Sequence, residues 1–261
     1  MVNYSFTLVT FEYFLMILVR IASFVYVAPF FGMTNTTPNR VKIGFSALVA
    51  LVLYQLVLPK NVLEYTGVIE YAVIVVKEGI TGVLIGLGAN ICNSIIAFSG
   101  KMIDMEIGLS MASMFDPINN TQSGVSGTLY NNLIMLLLVV TDMHHYILRA
   151  AIDSFQVIPV NEVVFDWDHL LLSMATYMLD MLVIGFRIIL PIFACSLILN
   201  CILGILAKVS PQMNMFAIGM QLKVLIGLII MFVSAVLLPD VANFIFTEMK
   251  KMMVLFIEGM Y

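Results

Sequence analysis

Acidic and imidazole side chains within apolar segments are the groups of this sequence that could do chemistry. The segment TDMHHY (141–146) suggests a metal site or a proton relay, because imidazoles and carboxylates bind divalent metals and carry protons. Neighbouring positions on a helix face different sides, so His144 and His145 are not expected to hold one ion together. The spacing favours histidines at a helix end, and the sequence predicts no metal site and no cofactor.

Catalytic signatures are missing from the sequence. It contains no HExxH, no nucleophile motif and no phosphate loop, and GVLIGLG (82–88) lacks the βαβ context of a nucleotide site. We therefore expect a protein that is not an enzyme. Gly82 and Gly86 have the small-xxx-small spacing that lets two helix backbones approach closely, although membrane helices also tolerate such glycines without that role.

The composition identifies an integral membrane protein. Of the 261 residues, 62% are hydrophobic and 11% are charged, whereas a soluble domain has roughly 45–50% apolar and about 25% charged residues. The net charge of −4 gives no indication of nucleic-acid binding. Cys92, Cys195 and Cys201 lie in apolar runs without metal-type spacing, and we interpret them as small buried hydrophobic residues.

Continuous apolar stretches predict an all-α fold of hydrophobic helices. Each stretch is near or above the ~20 residues that cross about 30 Å of hydrocarbon, and continuous runs favour helices over alternating strands. A single domain is expected over 1–261, with N-terminal helices to about 128 and C-terminal helices from 129. The six predicted spans lie at about 6–31, 41–58, 68–98, 129–148, 170–207 and 214–238, and a shorter apolar stretch follows at 244–258.

Charged residues occur inside these stretches or at their edges. Each would cost roughly 2.5–3.5 kcal/mol at the centre of a membrane helix, so most are expected to pair, to face water or to face a partner subunit. Asp142 is one of them. The others are expected at subunit contacts: Glu12, Arg20, Lys77, Glu78, Asp180, Arg187 and Lys223.

The positive residues do not define a membrane orientation. In a six-span chain, Arg20 and Arg187 lie inside spans and the other positive residues divide into two groups of five, whereas the positive-inside rule requires an excess on one side. Helices that do not cross the bilayer in simple alternation would give such equal numbers on the two sides. One group is Lys60, Lys77, Arg149, Lys250 and Lys251, and the other is Arg40, Lys42, Lys101, Lys208 and Lys223.

The segment GKMIDMEIGLSMASMFDP (100–117) combines charges with a methionine-rich run. On a helix, Glu106, Ser110 and Ser113 would form a polar stripe beside apolar ridges. Methionine is unbranched and adapts to irregular contacts. The run is therefore either core filling, in a chain with 20 methionines, or a deformable seal in a pore. We expect a helix through about Ser110 and a loop after it.

Four segments of the sequence match a known pattern, and they lie at 20–46, 99–117, 144–159 and 190–223. The more specific parts are MFDP (114–117) and AKVSPQMN (207–214). Together these segments resemble the family of flagellar biosynthetic proteins FliR, subunits of the export gate of type III secretion. A related family in virulence secretion systems shares much of the pattern, but FAIGMQLK (216–223) is more typical of the flagellar proteins.

The resemblance implies an export-gate subunit. Proteins of that family form the gate with FliP and FliQ in the flagellar basal body, at the bacterial inner membrane, and unfolded flagellar proteins pass through its pore. Their helical hairpins wind with the partner chains into a helical assembly, largely above the plane of the bilayer, which would account for the tie in positive residues. The expected partners are FliP-like and FliQ-like subunits, FlhB-like and FlhA-like export proteins, membrane lipid and exported flagellar proteins, but no nucleic acid.

The resemblance also implies a pore plug. In the family, the loop after the matching helix lies in the pore and helps to close it, and this loop corresponds here to 108–123. Lys101 departs from the family pattern, because an uncharged residue such as Gln is expected there. The residues that the resemblance assigns to the plug are Gly108, Met111, Met114, Phe115, Asp116 and Pro117.

Two other functions are compatible with so apolar a chain. A secondary transporter would use Glu12, Asp142 or Asp180 as a proton carrier, although such proteins usually contain internal repeats and none is visible in this sequence. A membrane scaffold without a pore would leave the methionine-rich run without a role.

Overall fold

The computed structural model of the chain is built of helices. It describes residues 8–29, 31, 38–56, 67–110, 124–210 and 215–261, and these ranges contain no β-strand. The predicted all-α class is confirmed. The helices are α1 (Leu8–Val27), α2 (Asn39–Leu56), α3 (Val68–Ile107), α4 (Val125–Val140), α5 (Met143–Val157), α6 (Trp167–Val209), α7 (Met215–Ser234) and α8 (Leu238–Glu258), with a short 3₁₀ helix at Ala235–Leu237 before α8.

Two of these helices are much longer than one membrane crossing. α3 has 40 residues and α6 has 43, so at about 1.5 Å per residue each is roughly 60 Å long, about twice the thickness of the hydrocarbon core. In the described part of the chain, 3 helical stretches are long and apolar enough to cross a membrane, or 4 if α4 and α5 count as one broken span. The prediction of six spans is therefore not met among the described residues.

The chain divides into two compact units, each assembled from separate stretches of sequence. Over their described residues, the first unit contains Met1–Ile91, Asp142–Tyr177 and Glu248–Tyr261, and the second contains Cys92–Thr141 and Met178–Thr247. One part of α3 belongs to the first unit and the rest to the second, and α6 is divided between the units in the same way. The predicted change from N-terminal to C-terminal helices near residue 128 falls inside the second unit.

In the first unit, α1 packs tightly against α3. A Cβ atom at Gly82 would lie 2.1 Å from the backbone oxygen of Arg20, and a Cβ atom at Gly86 would lie 3.0 Å from that of Phe24. Residues without a side chain allow the two backbones to approach this closely. Of the two interpretations that the sequence left open for these glycines, the structure supports the helix contact.

In the second unit, α6 and α7 both pack against the C-terminal part of α3. A Cβ atom at Gly185 of α6 would lie 2.4 Å from the ring of Phe98, and the Phe98 and Phe186 rings form an edge-to-face pair with centroids 5.5 Å apart. A Cβ atom at Gly227 of α7 would lie 2.5 Å from the side chain of Ile107. These glycines let two helices close tightly around the end of α3.

Candidate functional site

The candidate site is the place in the second unit where α3 ends and α4 begins, because the predicted plug segment, 108–123, connects these two helices. We call the described residues at the two ends, 100–108 and 124–127, the plug base. Gly108 belongs to the plug base and has a described position. The other predicted plug residues lie outside the described residues: Met111, Met114, Phe115, Asp116 and Pro117.

Gly108 forms the end of α3. Its φ is 91°, and its backbone N–H donates a hydrogen bond to the backbone oxygen of Asp104 at 3.1 Å. A glycine in a left-handed conformation after the last helical residue is a common way to end a helix, since it lacks the Cβ that makes this conformation unfavourable. The helix was predicted to continue to about Ser110. α3 ends at Ile107, a turn covers Gly108 and Leu109, and Ser110 is helical again.

The first turn of α4 is capped by a side chain of α3. Asp104 is 4% exposed, and its Oδ1 accepts a hydrogen bond from the backbone N–H of Ser126 at 3.1 Å. The N-cap residue of α4 is Gly124, which has no side chain to do this. A carboxylate at this position also interacts favourably with the positive end of the helix dipole. Asp104 therefore joins the two ends of the plug base.

Three glycines allow the two ends of the plug base to lie in contact. A Cβ atom at Gly100 would lie 2.1 Å from the Cα of Gly127, so the backbones of α3 and α4 are in contact there. A Cβ atom at Gly124 would lie 1.6 Å from Oδ2 of Asp104. The carboxylate of Asp104 reaches the start of α4 because no side chain stands between them.

α7 holds the start of α4 from another side. The hydroxyl of Ser126 donates to the sulfur of Met231 at 3.4 Å, and the hydroxyls of Tyr130 and Ser234 share a hydrogen bond of 3.3 Å. Ser126 thus contacts α3 through its backbone and α7 through its side chain. The plug base is fixed by three helices of the second unit.

A small pocket with polar and charged residues adjoins the plug base. Oε1 of Glu106 accepts a hydrogen bond of 2.6 Å from the hydroxyl of Ser196 on α6. Lys223 of α7 lines the same pocket, and its predicted contact with another subunit stays a prediction. The pocket is lined by Glu106, Ile107, Ile192, Ser196, Leu199, Lys223, Ile226, Gly227 and Ile230.

Arg20 and Glu78 form an ion pair within the first unit. Their side chains are 1% and 0% exposed, and Nε of Arg20 lies 2.5 Å from Oε2 of Glu78. Nη1 of Arg20 donates to the backbone oxygen of Ile158 at 2.9 Å, and Oε1 of Glu78 accepts from the backbone N–H of Asn161 at 3.1 Å. Arg20 also stacks on the Phe155 ring, 4.3 Å from its centroid. These two charges therefore pair inside the chain, and a contact of either with another subunit stays a prediction.

The remaining predicted charges lie in more open positions. Arg187 is exposed, and its guanidinium carbon lies 5.2 Å from the ring centroid of Phe244, so this charge has an aromatic partner in the second unit. Glu12, Lys77 and Asp180 are partly buried. For them, a contact with another subunit stays a prediction.

The segment TDMHHY adopts a geometry that the sequence analysis did not predict. Asp142 has a left-handed φ of 56° and precedes α5, and the His144 and His145 ring centroids lie 4.0 Å apart. Ligand atoms of these three residues lie within 4.8 Å of one another. The expectation that the adjacent histidines point to separate sides is wrong, because long side chains in the first turn of a helix can turn toward each other.

Sequence reasoning missed most of the plug base. The Ser- and Gly-containing stretch 123–127 before an apolar run is a typical helix start, so a signal for the beginning of α4 was present. Nothing in the spacing pointed to Asp104 as its cap, because the two partners are 22 residues apart. The contact between Gly100 and Gly127 could not be predicted either, because these two residues are also far apart in the sequence.

Comparison with known proteins gives a match over almost the whole chain. Residues 11–249 match the family described as bacterial export proteins, family 1. The flagellar biosynthetic protein FliR of Aquifex aeolicus is 28% identical over 249 residues, which cover 92% of each chain. FliR of Buchnera aphidicola subsp. Schizaphis graminum is 31% identical over 215 residues (82% of each chain), and FliR of Bacillus subtilis is 28% identical over 225 residues (85% of this chain and 86% of its own).

Proposed function

Since this chain belongs to the bacterial export proteins of family 1, we propose that it is a subunit of the flagellar export apparatus and forms part of the pore through which unfolded flagellar proteins are exported. The observation that carries the proposal is the family match over residues 11–249. It includes α3, α4 and the segment between them. The chain acts as a conduit, so it has no catalytic step to perform.

The plug segment, 108–123, closes this pore. Two features of the plug base support this function. Asp104 joins the start of α4 to the end of α3, and Gly100 and Gly127 hold the two backbones in contact. The helices on the two sides of the segment are thus held to each other. Met111, Met114 and Phe115 supply the apolar, deformable side chains that seal a closed pore.

The chain assembles with other subunits in the bacterial inner membrane. Its proposed partners are FliP-like and FliQ-like gate subunits, with FlhB-like and FlhA-like export proteins beside them. Large apolar side chains are exposed along α6 and α7, among them Ile198, Ile205 and Phe232. Apolar surface of this extent needs lipid or other helices to cover it.

Ion leak through the assembled gate tests the plug. Cells that express the complete gate with residues 111–115 of this chain deleted should show greater ion leak and osmotic sensitivity than cells with the intact chain. A matched control replaces two methionines of α6, Met174 and Met178, with alanine, since both are exposed on a helix outside the plug base. An unchanged leak in the deletion variant, with the complex still assembled, would contradict the plug function.

Co-purification tests the assembly separately. The tagged chain, expressed with its FliP-like and FliQ-like partners, should be recovered as one complex. A well-behaved lone chain that catalyses substrate-dependent proton flux in vesicles would instead support a secondary transporter.

A further inference from the structure

We propose that Asp142, His144 and His145 form a binding site for one divalent transition-metal ion at the start of α5. Ligand atoms of the three residues lie within 4.8 Å of one another. The ring centroids of the two histidines are 4.0 Å apart, and Nδ1 of His145 lies 3.6 Å from Oδ1 of Asp142. The site goes beyond the proposed export function, which neither requires it nor depends on it.

The backbone brings these ligands together. Asp142 adopts a left-handed conformation with φ 56°, which aspartate tolerates better than most residues. The backbone N–H of His145 donates to the backbone oxygen of Asp142 at 3.1 Å, which starts the helix. This turn places the carboxylate of Asp142 next to the imidazoles of the first helical turn.

The ligand set suits a metal ion that is intermediate between hard and soft. Two imidazoles and one carboxylate favour Zn²⁺, Ni²⁺ or Cu²⁺ over Mg²⁺ and Ca²⁺, which prefer oxygen ligands. Bonds of about 2.1 Å around a tetrahedral ion require ligand atoms roughly 3.4 Å apart. Rotation of the side chains can close the remaining gap, because those of His145 and Asp142 are 72% and 80% exposed. Three ligands leave a fourth position for water or for a group from another chain.

In the described part of the chain, the ion-pair partner of the Asp142 carboxylate is His145, and no Lys or Arg pairs with it. Arg149, about two turns after Asp142 on α5, lies 3.6 Å from the carboxylate of Asp153. Lys250 of α8 stacks over the ring of Tyr146, 4.7 Å from its centroid. Both cations are engaged with other groups, so Asp142 is left to interact with the imidazoles and with a metal ion.

Titration with Co²⁺, a spectroscopic substitute for Zn²⁺, tests the site. The full chain, carrying a tag without histidine and purified with its co-expressed partners, is titrated while the visible absorption of bound Co²⁺ is recorded. We expect saturation at one ion per chain. His144→Ala, His145→Ala and Asp142→Asn should each weaken binding by about tenfold or more, since even residues that only support metal ligands contribute about 10–100-fold.

The matched control is His169→Ala, because the chain has 3 histidines and this one lies outside the cluster. This variant should bind Co²⁺ as the unchanged chain does. Absence of saturable binding would overturn the proposal. Equal binding by Asp142→Asn and the unchanged chain would also overturn it, because the ion would then be held by histidines alone. Circular dichroism of each variant shows whether the helices are retained, and the exposed positions of Asp142 and His145 make a loss of folding unexpected.

Discussion

The carboxylate of Asp104 on α3 caps α4 by accepting a hydrogen bond from the backbone N–H of Ser126 at 3.1 Å. Most helices are capped by a residue of their own N-terminus, but the N-cap position of α4 is occupied by Gly124. The cap therefore comes from another helix, and it links the two ends of the segment that the family resemblance assigns to the plug. A substitution at Asp104 should weaken the link between α3 and α4 without altering the plug residues themselves.

Replacing Asp104 with alanine should lower the free energy of unfolding by about 1–2 kcal/mol, because the substitution removes a helix cap and leaves a buried N–H without a partner. Asp104→Asn should cost less, since the amide oxygen can still accept the hydrogen bond. Denaturant unfolding of the purified chain in detergent measures both. The control is Asp153→Ala, which removes an exposed carboxylate and should change stability by no more than about 0.5 kcal/mol. Equal effects of Asp104→Ala and Asp153→Ala would show that the cap does not contribute.

The contact between Gly100 and Gly127 should not tolerate even one added methyl group. A Cβ atom at Gly100 would lie 2.1 Å from the Cα of Gly127, so the helices must move apart. We expect Gly100→Ala to destabilise the chain by about 1–3 kcal/mol, the usual cost of overpacking. Gly204→Ala is the control, because no atom of the described residues lies within 4 Å of its Cβ position and alanine is the better helix former. Thermal unfolding of both variants should move the midpoint down for the first and leave it unchanged or higher for the second.

The helices of this chain could be predicted from its sequence, but their lengths could not. Long apolar runs in a membrane protein must be helical, because no water satisfies their backbone groups. The apolar run of α3 was placed at 68–98, since Lys101, Asp104 and Glu106 interrupt it. The helix continues past these charges because two of them find partners on other helices: Ser126 for Asp104 and Ser196 for Glu106. Spacing along one helix carries no information about such partners.

Contacts between helices could be predicted from the sequence only in part. The spacing of Gly82 and Gly86 on one helix was visible in the sequence, and a close contact with another helix was one of the two alternatives that it left open. Only the structure identifies that helix as α1. Gly100 and Gly127 lie on different helices, so their contact depends on tertiary structure. The ion pair of Arg20 and Glu78 was missed for that reason too, since the residues are 58 positions apart.

Breaking this ion pair should be among the most damaging changes to the first unit. Arg20→Met or Glu78→Gln would leave one buried group without its partner, and removal of one partner from a buried pair typically costs about 3–5 kcal/mol. The double variant Arg20→Met/Glu78→Gln should lose less than the sum of the two single variants, because it leaves no buried charge. A double-mutant cycle in denaturant unfolding measures this coupling.

The exposed pair of Arg149 and Asp153, 3.6 Å apart, is the control for the cycle. Its coupling energy should be no more than about 1 kcal/mol, because water screens exposed pairs. If the coupling of Arg20 with Glu78 were as small as that of the control pair, the buried pair would not stabilise the first unit.

The left-handed conformation of Gly108 allows a test of backbone conformation in which the substitution adds no steric clash with the described residues. Among the described residues, the nearest atom to an added Cβ is Cγ of Met220 at 3.9 Å, an ordinary contact, so the expected cost of a side chain comes from the φ of 91°. Gly108→Ala should therefore lower the free energy of unfolding by about 1–2 kcal/mol. Gly108→Asn should cost less, because asparagine adopts left-handed conformations more readily than alanine. Gly44→Ala in α2 is the control, with no atom within 4 Å and no positive φ. The expected order of stability in denaturant unfolding is Gly44→Ala, then Gly108→Asn, then Gly108→Ala. A Gly108→Ala variant as stable as the Gly44→Ala variant would show that α3 does not need a left-handed residue to end before the plug segment.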